Sequence, residues 1–479
     1  MVTAAEHNEA EQTPMRTRLV ALVVAVSFFM QLLDSTIVVT SLPQMAQSFG
    51  IQPVAMSIGL TVYLLTMAAF IPISGWLGDR FGARNVFLVS IAVFTAASLF
   101  CGLSTGLTEF IFARAVQGFG SALMTPIGRV IVLKNAPKSQ LVNAVAMITW
   151  PALIAPVIGP ALGSVITTWF SWRWNFLINI PIGAVGLALV CLYVPDQKEE
   201  DAGRLDVLGF VYSLGMTLIL AGLESFVHGT SATLVIMVLL ATGATFSVLA
   251  TRHFRRAVNP LLDLSPFDIQ TFALSTLSAG TACRTAISAT PFLIPLLFQV
   301  GFGMSSIEAG VYVLVYFAGN LAMKSVTTPM LRRFGFRNVL VVNGLLSTGS
   351  IAACALLSPA TPDIVVYPLL FAAGLTRSMQ FTALNTLGFA DILPRQRSSA
   401  STLSSMLQQV SMLLGVAVAA AVLNLSRMIR GGEPLSLIDF RWAFVVVGLV
   451  GIVACLRFLT LAPDAGAEVS GHRRYQNSL

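Results

Sequence analysis

The sequence predicts an all-helical membrane protein of fourteen spans: two pseudo-related six-helix bundles with an inserted helix pair. Three observations carry the prediction. The 479 residues are 56% hydrophobic and only 10% charged, where a soluble domain carries about 25% charged residues. The apolar residues fall in runs of about 20, the length that crosses a bilayer. A nine-residue motif recurs 253 residues downstream, each time between two apolar runs.

With a mean hydropathy of +0.82, the chain has too few charges to cover a water-soluble surface of this size, which excludes a soluble enzyme, a nucleic-acid reader or a disordered scaffold as the main body. The net charge of +7 would point to nucleic acid only if it clustered on one solvated face. Instead it sits in short segments between apolar runs.

Taken in order, residues 1–18 read as a polar cytoplasmic tail. The first apolar run is too long for the core of a cleavable signal and reads as a spanning helix. The first bundle, 19–195, holds runs at 19–40, 55–77, 86–104, 109–131, 141–166 and 175–195. An inserted segment, 196–269, holds runs at 207–226 and 232–251. The second bundle, 270–462, holds runs at 270–298, 308–330, 338–358, 364–389, 399–424 and 441–461, and a cytoplasmic tail, 463–479, follows. An even count puts both termini on one side. If that side is cytoplasmic, nineteen of the 28 Lys and Arg fall in inner segments, four (Arg173, Arg427, Arg430, Arg441) in outer loops and five inside spans. This is the bias that orients membrane proteins, and one span more or fewer in mid-chain would scramble it.

The repeat supports two related halves. Asp79-Arg-Phe-Gly-Ala-Arg-Asn-Val-Phe87 and Arg332-Arg-Phe-Gly-Phe-Arg-Asn-Val-Leu340 agree at six of nine positions. Internal repeats of this kind are a feature of transporters.

Four stretches resemble the major facilitator superfamily. Gly75-Trp-Leu-Gly-Asp-Arg-Phe-Gly-Ala-Arg84 resembles its loop motif, and Arg114-Ala-Val-Gln-Gly-Phe-Gly-Ser-Ala122 its fourth-helix motif. Pro151-Ala-Leu-Ile-Ala-Pro-Val-Ile-Gly-Pro-Ala-Leu-Gly163 resembles its fifth-helix antiporter motif. Leu33-Asp-Ser-Thr-Ile-Val-Val-Thr-Ser-Leu-Pro43 resembles the first-helix motif of the fourteen-helix drug:proton antiporters, the EmrB/QacA type, and the segment Ser171–Pro181 fits the same group. The pattern departs at Val39, where Asn is usual, and at Ala152, Ala155 and Ser164, where Gly is usual. The resemblance implies proton-driven export of small amphipathic compounds from an inner or plasma membrane.

Charges inside a membrane are costly and are candidate functional residues by default. Asp34 is the one deeply placed acid, about 22 Å from the cytoplasmic edge at about 1.5 Å per residue. Arg114 lies about 9 Å from the outer edge by the same rise. In a hydrocarbon core of about 30 Å the two share a depth. They are the candidate proton-coupling pair, with a static ion pair as the competing reading. Arg284, Lys324 and Arg377 fall in the second half without an offsetting mid-span acid. They are candidate cavity residues for an anionic, zwitterionic or neutral substrate, or else groups that bind backbone carbonyls. Gln117 and Gln380 complete the candidate cavity, or else tie helices together. Gln380 shares a helix face with Arg377, three residues away.

By the resemblance Gly75, Asp79, Arg80, Gly82 and Arg84 form a candidate cytoplasmic gate, with an ordinary basic turn as the alternative. Asp79 is expected to cap the third helix and meet Arg84. Pro156, Gly159, Pro160 and Gly163 combine bending with close packing, which the resemblance makes an antiporter helix and which reads otherwise as a simple packing kink. The five cysteines read as small core residues. The four histidines all fall outside the spans, and no phosphate-binding loop, metal spacing or catalytic motif occurs. No cofactor, metal or enzymatic role is therefore expected. The expected partners are the lipid bilayer, a small-molecule substrate and protons, with no nucleic acid. A monomer is expected, with a periplasmic adaptor left open. Two rivals remain: a dedicated exporter of one anionic, zwitterionic or lipid-like metabolite, and a non-transporting membrane sensor.

Overall fold

The structure, a computed structural model, describes residues 4–135, 141–195, 204–227, 233–257, 260–393 and 396–472. The basic positions Lys138, Lys198, Arg395, Arg473 and Arg474 lie outside the described residues. Secondary structure among the described residues is entirely helical. Among the described residues ten helices are long and apolar enough to cross a membrane by length and composition. The expected spans at 109–131, 141–166, 207–226 and 308–330 are also helical, but they are shorter or interrupted by charge and proline.

The first half runs through α1 (Ala4–Ile37), α2 (Leu42–Phe49), α3 (Ile58–Phe70), α4 (Ser74–Phe81), α5 (Ala83–Leu103), α6 (Leu107–Asn135), α7 (Leu141–Trp169), α8 (Trp174–Leu177) and α9 (Asn179–Tyr193). The inserted segment holds α10 (Val207–Met216), α11 (Leu218–Val227) and α12 (Thr233–Arg256). The second half runs through α13 (Gln270–Phe272), α14 (Ala279–Leu296), α15 (Ser306–Ala322), α16 (Lys324–Ala353), α17 (Asp363–Gly388), α18 (Arg397–Ile429), α19 (Leu437–Leu456) and α20 (Ala467–Ser470).

Several boundaries differ from the sequence reading. Helix α1 already begins at Ala4, so the expected tail at 1–18 is largely helical. It stops at Ile37, and a tight turn of helix at Val39–Ser41 leads into α2, where Pro43 fits the first turn because its missing N–H costs nothing there. The expected loop between the second and third spans shrinks to one residue. Gly82, at φ +86° and ψ +132°, joins α4 to α5. That backbone region is open essentially to glycine alone. Four cysteines are buried as expected, but Cys191 is exposed, because it falls on the outward face of α9.

A continuous apolar core runs through both halves. Between them, α7 packs against α15 and α3 against α18. The inserted helices pack on each other, and α11 touches both α3 and α18. The pair therefore covers one seam between the halves. The outer face of α12 leaves Leu234, Met237, Val238 and Val248 exposed, as a surface toward lipid requires.

Candidate functional site

Among its described residues the first half contains one fully buried ion pair. Arg114 Nη1 donates to Asp34 Oδ2 at 2.8 Å, and both side chains are fully buried. Helix α1 supplies the acid and α6 the base. Arg114 Nη1 also donates to Gln117 Oε1 (2.6 Å), and Arg114 Nε donates to the Gly59 carbonyl on α3 (3.0 Å). The guanidinium lies 4.3 Å from the centroid of the Tyr63 ring. Asp34 Oδ1 accepts from Gln117 Nε2 (2.9 Å) and from Asn179 Nδ2 (2.8 Å). Ser98 Oγ accepts from both amides. Five helices, α1, α3, α5, α6 and α9, thus meet in one network around the carboxylate. Such a network is built of charge-assisted hydrogen bonds, the strongest available in a protein.

Beside it lies a central cavity of about 420 Å³ between the halves. Arg114 faces it from the first half, and Lys324, Arg377 and Asn385 from the second. Lys324 Nζ donates to Thr382 Oγ1 at 2.7 Å. The Arg377 guanidinium sits near the rings of Tyr316 (5.8 Å) and Phe317 (5.5 Å), and its Nε has no hydrogen-bond partner among the described residues.

Three expected cavity residues stand elsewhere. Arg284 is buried off the cavity, donating to the Ser275 carbonyl (2.8 Å) and to Asn385 Oδ1 (2.9 Å). The chain around Ser275 forms a π-helical bulge at Ala273–Leu277, which frees that carbonyl for the guanidinium. Gln117 is drawn into the ion-pair network by the carboxylate. Gln380 is fully buried behind the wall, donating to the Leu340 carbonyl and accepting from Asn343 Nδ2.

The antiporter-helix residues split by face. Pro156 and Pro160 line the cavity. Gly159 and Gly163 lie against Thr36 and Ile37 of α1, where any Cβ would collide. The gate residues cluster at the α4–α5 corner, with two corrections. Asp79 lies inside α4 rather than before the third helix, whose N-cap is Gly82 without a side-chain cap bond. Gly75 has open space where a Cβ would stand, so close backbone approach is not its reason. Arg84 Nη2 donates to the Cys191 carbonyl on α9 at 2.8 Å. Arg80 ends α4 on the basic side expected for a helix C-terminus.

At the opposite end, Gln299 joins the halves. Its Nε2 donates to the Thr40 carbonyl (2.8 Å) and its Oε1 accepts from Gln44 (3.0 Å). Ser306 Oγ donates to the same Thr40 carbonyl (3.2 Å).

Sequence reasoning missed Asn179, Ser98, Tyr63 and Gln299. A signal existed only for the first, inside the segment Ser171–Pro181. An uncharged group near a span end carries no mark of its partner.

Comparison with known proteins agrees with the fold. A family model described as Major Facilitator Superfamily matches residues 24–416 and again 279–478. MdtD of Escherichia coli (strain K12), which bears the provisional name of a multidrug resistance protein, is 35% identical over 472 residues, covering 97% of this chain and 99% of its own. Its counterpart in Escherichia fergusonii matches to the same extent. A D-xylose-proton symporter superposes with a TM-score of 0.65 at 14% identity, over 94% of this chain and 99% of its own. The human organic anion transporter MFSD10 superposes with a TM-score of 0.61 at 14% identity, over 92% and 99%. At that identity the structural likeness speaks for the fold alone.

Proposed function

The chain belongs to the major facilitator superfamily, and on that premise we propose that it is a drug:proton antiporter of the fourteen-helix EmrB/QacA type. It exports small amphipathic compounds from the cytoplasm by alternating access, with both termini cytoplasmic and the proton gradient driving the cycle. The fourteen spans are the ten long apolar helices and the four shorter or interrupted ones. The close relatives named for multidrug resistance favour efflux.

One observation carries the coupling: the buried Asp34–Arg114 pair beside the cavity. Asp34 is the proton site in this reading. Protonation discharges the carboxylate, releases Arg114 and loosens the hydrogen bonds from Gln117 and Asn179. An uncompensated buried guanidinium is costly, so the helices around it rearrange. The α4–α5 corner acts as the cytoplasmic latch, and the Gln299 clasp closes the outer face. A dedicated exporter of one anionic metabolite is the second reading, favoured by Lys324 and Arg377 on the cavity wall.

The test is proton movement in proteoliposomes of wild type and Asp34→Asn, with a panel of cationic, neutral and anionic compounds. Substrate-evoked proton flux in wild type and none in the variant is the expected result. Flux unaffected by Asp34→Asn would discard the coupling residue.

A further inference from the structure

The ion-pair site of the first half has a counterpart in the second, with thiols in place of its acid and of the asparagine beside it. Arg114 and Gln117 stand three apart on α6, and Arg377 and Gln380 stand three apart on α17, in the same Arg-x-x-Gln pattern. Tyr63, under the Arg114 guanidinium, and Tyr316, under that of Arg377, are 253 residues apart, the offset of the sequence repeat. Gln117 donates to Asp34 Oδ1 on α1, whereas Gln380 donates to Cys283 Sγ on α14, at 3.5 Å. Asn179 of α9 meets the acid in the first half, whereas Cys455 of α19 lies 3.5 Å from Cys283 in the second. A thiol stands where the carboxylate stood.

The change leaves Arg377 without the internal anion that neutralises Arg114. Among the described residues no acidic side chain pairs with Arg377, with Lys324 or with Arg284. Arg284 is satisfied by Ser275 and Asn385 and lies off the cavity. Arg377 and Lys324 face the cavity, and the buried Ser378 hydroxyl beside them also lacks a partner among the described residues. In a site of low dielectric two unneutralised cations attract an anion strongly, and a guanidinium matches a carboxylate in two parallel hydrogen bonds.

We propose that Arg377, with Lys324, forms an anion subsite on the second-half wall of the cavity, and that it takes the carboxylate of an amphipathic substrate whose apolar body lies against Phe292, Phe317 and Phe381. The acid that completes the second-half site is then carried in by the substrate. This rests on the reading of the cavity as a transport site, but not on proton coupling through Asp34.

The test is equilibrium binding to the purified full-length protein in lipid nanodiscs, read by dansyl fluorescence without a pH gradient. The probes are N-dansylglycine, its neutral amide and the cationic dansylcadaverine, which share one fluorophore. Wild type is expected to bind the acid about tenfold tighter than the amide, the worth of one charge-assisted hydrogen-bond set. Arg377→Gln is expected to bring acid and amide within about twofold. Equal binding of acid and amide by wild type, no binding of any probe, or an acid preference that survives Arg377→Gln would overturn the subsite. Should Arg377→Gln fail to fold, Lys324→Gln at its half-buried position gives the reading: a weakened preference supports the subsite and an unchanged one overturns it. A loss of coupling in Asp34→Asn leaves the binding result standing, and equal probe binding leaves proton-driven export standing, so the two failures are distinguishable.

Discussion

Gly82 and Gly335, 253 residues apart, turn the chain in the same way: each sits between two helical segments at positive φ, +86° and +72°. At both corners the backbone conformation, rather than any side chain, ends one helix and starts the next. The surrounding residues have diverged. Asp79 in the first copy is Arg332 in the second, and His472 covers the second corner, its Nδ1 2.9 Å from the Arg332 carbonyl. The shared geometry is therefore structural, and any gating role specific to the first copy rests on the residues that differ.

Gly82→Ala and Gly335→Ala separate these two contributions. Each is expected to lower stability by about 1–3 kcal/mol, the cost of a side chain in that backbone region. Only Gly82→Ala is expected to slow export in proportion beyond its loss of folded protein. Thermal unfolding of the purified variants, set beside transport per folded molecule, checks this. Equal transport by both variants would show that the Gly82 turn itself takes no part in gating.

Asn179→Leu removes an amide that donates to Asp34 Oδ1 at 2.8 Å and to Ser98 Oγ at 3.2 Å. The carboxylate loses a donor it cannot replace in an apolar surround. The expected cost is about 1–3 kcal/mol in stability, with substrate-evoked proton release reduced about tenfold and equilibrium substrate binding retained. Thermal unfolding and proton flux on the same preparation measure both. Retained coupling would make Asn179 a packing residue.

The Asp34–Arg114 pair was legible in the sequence because a charge in an apolar run can be counted, and its depth follows from helix rise. Gln117 was legible as a buried polar group but not in its place. Which carboxylate an amide finds depends on how α1 and α6 meet. Arg284 misled for a related reason. Its position in α14 resembles that of a cavity residue, and only the π-bulge at Ala273–Leu277 presents the carbonyl that holds it away. The Arg377–Gln380 echo of Arg114–Gln117 was present in the sequence, yet its meaning depends on Cys283 and Cys455 meeting across two distant helices. The one-residue turn at Gly82 was hidden because glycine there reads equally as a flexible loop.

Gln299→Ala tests the clasp at the opposite end. It removes two hydrogen bonds, to Thr40 and from Gln44. At about 1 kcal/mol each, their loss shifts the balance toward the outward-open form by about tenfold or more. A cysteine introduced at Ser288, which lines the cavity, reports the shift in a Cys191→Ser background. Labelling by a membrane-impermeant maleimide from outside is expected to speed up by a similar factor. An unchanged rate would show that apolar packing between the halves, not Gln299, holds that face closed.

Asp206 ties the inserted helices to the rest of the chain, and its effect depends on pH in a predictable direction. Its Oδ1 accepts from the Gly209 N–H at 2.8 Å and lies 2.8 Å from His253 Nε2, while Oδ2 accepts from the Leu261 N–H at 3.1 Å. One carboxylate therefore holds the start of α10, the end of α12 and the segment beyond it. Burial pushes the carboxyl up, but the two backbone donors and His253 outweigh it and hold Asp206 below the usual carboxylate range. A carboxylate depressed in the folded state stabilises the fold above its unfolded pKa, about 4, and that contribution is lost as pH falls through the lower folded value. Asp206→Ala should thus cost about 1–2 kcal/mol at neutral pH, the worth of a helix N-cap. The gap between wild type and variant should stay constant down to about pH 4 and close below it. Thermal unfolding in detergent across that range measures the gap. A gap that persists well below pH 4 would assign the tie to contacts that the protonated side chain keeps.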